Sequence, residues 1–372
     1  MARIRKYIRY SIMVVIGLLI CGGLYFGFNN TKKTSFVKTS RDISGALING
    51  EIVKLKDLVV TYNKDGIRGI NQDSEIVWDV VYQMQNPILV SQGDKIAIAD
   101  TNGHIIYVMN TKGKLAEIDT ALPISDIVIS EVGFVGAVVK DRGVNWIDVY
   151  NMDNEKVINF RVSMEQTGYP MSISISPNGK LIGISFLNLN EGDLKTSIAF
   201  YNLGEVGQNQ PNEYISGYNY ADMLVPEIEF LDNQNAVAIA DNRIMFYSGK
   251  EKPEITKEIL ITDNIQSVYI ENGKVVLKFE NISEIGRNSI VVYDAKGEVV
   301  LEKATDFEFS DLTIANKFIV MYNSNKCLVI SLRGKEEFEG ELGMEIKKLF
   351  ATNEKYNYNL VAEETVRRIE IR

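Results

Sequence analysis

Histidine occurs once in this chain of 372 residues, at His104, while cysteine and tryptophan occur twice each, at Cys21 and Cys327 and at Trp78 and Trp146. Each shortage excludes a chemistry. A lone imidazole supplies neither the several ligands of a zinc site nor an obvious proton relay. His104 directly follows Asn102-Gly103 and reads as a polar residue flanking a turn. Of the two thiols, one lies in a long apolar run and the other in a strand-like stretch, so no disulfide is expected within the folded part. That part must hold by its apolar core, which some 340 residues of β-rich chain can supply. Nucleophile elbows, phosphate-cradling and dinucleotide loops, H-E-x-x-H and C-x-x-C are missing as well. Nucleophilic, dehydrogenase and nucleotide-hydrolysing chemistries therefore have no visible machinery. The expectation is a protein without catalytic residues, cofactor or metal.

Acidic residues are absent from the first 33 positions, which carry six basic ones, leaving 34 basic against 49 acidic residues in the remainder, net −15. A chain of that balance, with no basic stripe, lacks the electrostatic footprint of a nucleic-acid binder. Carboxylates are the one remaining catalytic resource. Asp100, Asp141 and Asp241 follow equivalent apolar runs and are expected on one face of the fold, where an arc of acids could bind a cation. Asp also begins turns by bonding its own backbone, and that role suits all three better.

Residues 10–28 form an uncharged apolar stretch, and about 19 such residues suffice for a helix to cross a bilayer. Arg3, Arg5, Lys6 and Arg9 precede it and only Lys32 and Lys33 follow closely. This excess puts the short tail 1–9 in the cytoplasm and everything after the span outside. The run is too long for the core of a cleaved signal, and bulky Ile20 precedes Cys21 where lipidation requires a small residue, so a retained signal-anchor is expected. Tyr25, Phe26 and Phe28 suit the outer interface. Gly23 and Gly27 form a single small-residue pair that by itself does not specify a dimer. A linker, 29–35, leads to the folded domain, 36–372.

Within that domain a β-rich run, a tight turn and a second β-rich run recur eight times, beginning at Asp57, Lys95, Val135, Lys180, Ala236, Lys274, Lys317 and Asn357. The starts lie roughly 38 to 55 residues apart, a period typical of propellers and other repeat arrays. Turns such as Tyr293-Asp-Ala-Lys-Gly297 close the pairs, with Asp bonding backbone and Gly supplying positive φ. One apolar run precedes and one follows each pair, giving four antiparallel strands per unit. Radial closure of such units removes exposed sheet edges, so the fold class is an all-β propeller with eight blades favoured over seven. The last copy stops at Ile371-Arg372 without its outer strand, and residues 36–56 can supply both that strand and the first inner one.

One stretch departs from the repeat. Residues 203–222 lengthen the fourth unit and carry Tyr214, Tyr218 and Tyr220 among Gly and Asn, the make-up of an adaptable contact surface. They are the candidate partner-contact residues, although 214–217 also fits an outer strand with Tyr218 and Tyr220 packed between blades. Residues 188–193 read as a polar hairpin tip.

The unit ending at Tyr293-Asp-Ala-Lys-Gly297, the Trp78 of Glu75-Ile-Val-Trp78 and the Ser176-Pro-Asn-Gly-Lys180 tip resemble the quinoprotein-like and WD40-like propeller superfamily. With its anchor, the chain looks like a family of uncharacterised single-pass bacterial membrane proteins with an extracytoplasmic propeller. The resemblance implies the fold and not quinone binding, since adjacent cysteines and repeated tryptophan motifs are missing. A non-enzymatic scaffold at the outer face of the cytoplasmic membrane is expected, with envelope proteins or wall components as partners. A carboxylate enzyme acting on wall polysaccharide and a ligand-sensing ectodomain are the alternatives.

Overall fold

A computed structural model describes residues 33, 35–38, 49–162, 168–190, 193–221, 223–280, 287–315, 317–352, 354–363 and 365–372. The expected span at 10–28 lies outside them, as does the tip of the 188–193 hairpin. Among the described residues no helix is long and apolar enough to cross a membrane. The described strands form eight four-stranded antiparallel sheets, which are the eight blades of a propeller.

Blade two shows the plan: β6 (Pro87–Gln92), β7 (Lys95–Asp100), β8 (Ile105–Asn110) and β9 (Gly113–Asp119) pair in sequence order. The two central strands of a blade are covered on both faces and therefore read as continuous apolar runs. β19 (Asn235–Ile239) and β27 (Phe318–Tyr322) are buried at every position. Outer strands alternate instead, because one face meets water. Apolar side chains of neighbouring blades interlock, as where Ala97, Ala99 and Ile106 of the second blade meet Ile127, Val135 and Ala137 of the third.

The turns behave as their residues dictate. Asn151 Oδ1 accepts the backbone N–H groups of Asp153 and Glu155, and Asp294 Oδ1 accepts those of Lys296 and Glu298. Gly297 closes the second turn at φ +77, and a Cβ there would also strike the Phe246 ring. Trp78 lies directly over Gly69, where a Cβ would come within 2.3 Å of its indole.

A regularity absent from the sequence pattern appears where the third and fourth strands pair. In blades one to seven the register shifts by one residue near the start of the outer strand, leaving Val77, Leu115, Val157, Ile215, Thr256, Val300 and Glu337 as the extra residues. Such bulges bend a strand and increase its twist, which suits the outer edge of a blade.

Closure follows the expected route. β1 (Phe36–Lys38) pairs antiparallel with β32 (Thr365–Ile371) as the outer strand of the eighth blade, while β2 (Glu51–Leu55) is the inner strand of the first. Ser74 Oγ donates to Val366 O at 2.7 Å and Lys54 Nζ to Ala351 O at 2.6 Å, tying the first blade to the eighth.

Candidate functional site in the central channel

The inner strands β6, β10 (Ile124–Ile129), β14 (Tyr169–Ile175) and β18 (Glu227–Phe230) line a cavity of about 260 Å³ in the ring's central channel. Serines set its geometry. Ser172 Oγ accepts the Ile228 N–H at 3.2 Å and Ser174 Oγ accepts the Phe230 N–H at 2.9 Å, clamping β18 against β14. Along β18 the residues alternate: Ile228 and Phe230 enter the core shared with the fourth blade, which leaves Glu227 and Glu229 on the other side of the strand. Alternate residues of a strand share a side, with Cα atoms ~6.6 Å apart.

Both glutamates are raised above the ordinary carboxylate range by burial, and Glu229 is pushed up to about 7 with the charge of Glu227 as a second cause. Asp126, on β10, is also raised by burial. Gln92 adds a buried side-chain oxygen with no hydrogen-bond partner. The far side of the channel carries cations that are already engaged: Lys54 on the Ala351 carbonyl, and Lys348 on the Asp311 carboxylate at 2.6 Å. These acids escaped sequence reasoning because Glu-Ile-Glu-Phe is the alternation of a half-exposed strand. Only placement of that strand as an inner one turns its polar side toward a channel.

Residues singled out in the sequence fall elsewhere. His104 Nδ1 lies 3.1 Å from Asp119 Oδ1 on the surface. The Ala121 backbone N–H, and then His104, hold the Asp119 carboxyl below its usual range. Asp100 accepts the backbone N–H groups of Gln85 and Asn86, at 3.0 and 2.7 Å. Asp141 faces Arg142 at 4.0 Å, and the Asp241 N–H donates to Leu224 O. Each sits at the turn between the second and third strands of its own blade. Among the described residues no three His, Cys, Asp or Glu side chains gather as a metal site. Cys327 is fully buried, and burial pushes its thiol up to about 12.

The stretch at 203–222 divides into a short helix α1 (Glu205–Gln208), a 3-10 turn (Pro211–Glu213) and the outer strand β17 (Tyr214–Ala221). Tyr218 and Tyr220 pack between the fourth and fifth blades, the Tyr218 hydroxyl accepting the Ile255 N–H at 3.1 Å and the Tyr220 hydroxyl lying 2.8 Å from that of Tyr247. Tyr214 is 47% exposed. It belongs to a series, since Ile76, Leu115, Val157, Ile255 and Val299 are also exposed near the starts of their outer strands. Blades one to six thus each show an apolar side chain at the bulged rim. The seventh shows Glu336 and Glu337 there, and Lys33 joins the ring at that place through its N–H to Glu337 O.

Residues 29–371 match a family model described as "Family of unknown function (DUF5711)". No curated protein matches the chain. Among solved structures, BamB from Moraxella catarrhalis superposes with a TM-score of 0.51 at 11% identity, over 91% of this chain and 100% of that one. Apo AztD from Citrobacter koseri gives 0.54 at 11% identity, over 80% and 87%. Porphyromonas gingivalis dipeptidyl peptidase 4 gives 0.58 at 13% identity, over 88% of this chain and 58% of that protein. At such identities the likeness concerns the fold alone.

Proposed function

We propose that this chain, which belongs to the DUF5711 family, is a non-enzymatic membrane-anchored propeller outside the cytoplasm, serving as a protein-interaction platform in the bacterial cell envelope. In this reading residues 1–9 are the cytoplasmic tail, 10–28 the span, 29–35 the linker and 36–372 the propeller.

The observation that carries it is how the linker meets the ring. Lys33 and Ser35 bond to Glu337 and Arg372, at the end of the blades where first strands turn into second and third into fourth. Four residues, 29–32, lie between the end of the span and Lys33, five Cα-to-Cα steps with a reach of at most about 18 Å. The opposite end of the ring, which carries the crossovers between blades, then faces away from the membrane. The outer wall offers the apolar series through Tyr214, with Tyr218 and Tyr220 fixing the strand that presents it. Large rings that cost little entropy to hold suit a protein contact. Envelope proteins or wall components are the partners.

Cross-linking in intact cells followed by pull-down of the full chain should return a defined envelope protein. Its recovery should fall with Tyr214→Ala far more than the small drop in melting temperature expected from losing the edge-on contact with Tyr201 explains. No defined partner, together with glycan turnover by the purified protein, would overturn the platform in favour of the wall-polysaccharide enzyme. Glu227 and Glu229 are the acids that such an enzyme would use. Both lie on one strand, however, and no other acid lines their cavity among the described residues, whereas glycoside hydrolysis needs carboxyls flanking the bond. Their arrangement suits binding better than hydrolysis.

A further inference from the structure

We propose that the channel cavity binds a protonated primary amine carried on a short aliphatic stem. This goes beyond the platform reading and does not depend on the membrane anchor.

The cavity is furnished with acceptors that lack donors. Glu227 and Glu229 stand side by side on β18, and no described cation pairs with either. Leaving half-buried carboxyl groups unpaired is costly, and an inner strand needing only to fold would do better with apolar residues there. A ligand bringing a positive charge and several N–H donors removes that cost. The remaining wall decides what the charge is attached to. Val90, Val128, Ile129 and Ile173 are apolar and suit methylene groups, as they would the stem of a lysine. A metal ion fits less well, because hard cations take six or more oxygens and no three acidic or other ligating side chains gather among the described residues.

Burial gives the site a pH dependence. Glu229 feels Glu227 as its one charged neighbour. β6, β10 and β14 present serine, Gln92 and aliphatic side chains to the cavity, with Asp126 further along β10. On the sixth-blade side, Val268 and Ile270 face the fifth blade. Protonation of Glu229 below about pH 7 removes a charge that the amine requires.

The test is calorimetric titration of the full chain, in detergent, with 1,5-diaminopentane and separately with a lysine-bearing peptide. Binding is expected near pH 8, weakening at least about tenfold near pH 5.5 and in Glu229→Gln. Diaminopentane binding alone identifies a free amine, and binding of the peptide alone identifies a partner's lysine. Because Glu229→Gln removes a half-buried, unpaired charge, its melting temperature near pH 8 should hold or rise, so a loss of binding is not a loss of fold. Failure of both probes near pH 8, unchanged binding in Glu229→Gln, or binding of calcium ion in place of either amine would overturn the proposal.

Discussion

Glu229 is where a single side chain most clearly departs from what folding alone would select. Its folded-state value, about 7, stands above the ordinary 4.5, so the folded protein holds a proton that the unfolded chain releases. Stability from this group is therefore fully present below about pH 4.5 and is lost as pH rises through about 7. Glu229→Gln should stabilise the protein by up to about 3 kcal/mol near pH 8 and hardly at all near pH 4. Thermal melts of the two proteins across that range check it. Gly69 gives the opposite case. Gly69→Ala drives a Cβ into the Trp78 indole, and overpacking of this kind costs about 1–3 kcal/mol, visible as a lower midpoint in denaturant with tryptophan emission as the probe. Neither role was legible beforehand. A glutamate next to an apolar residue looks solvated, and a glycine in a strand reveals nothing of the ring above it until the register is known.

Elements were more legible than residues. Asn and Asp at the turn starts announced the hairpins, and Asn63, Asn151 and Asp294 hold them as local chemistry requires. The closing strand was legible because the last copy ran out of chain while residues near Phe36 remained unused. The bulges were not legible, since they depend on pairing across strands rather than on the pattern along one. The tyrosine stretch was legible as an outer strand: its residues alternate along β17, and packing between blades claims Tyr218 and Tyr220. A direct prediction concerns β1. Ser35 and Arg372 exchange both backbone hydrogen bonds, so two residues on, at Val37 opposite Glu370, the N–H again belongs to the ladder. Val37→Pro removes it and should cost about 3 kcal/mol. Hydrogen exchange should quicken across Thr365–Ile371 before it does in other blades.

At the scale of the whole molecule, the linker and the bulged rim define one end of the ring and the crossovers define the other. Arg142, its side chain 95% exposed, sits in a turn at the crossover end. The most direct measurement is labelling of Arg142→Cys in intact cells with a membrane-impermeant maleimide. Cys327 is buried and should stay silent. A propeller tethered outside predicts labelling of intact cells to the extent seen after lysis. Labelling only after lysis would contradict it.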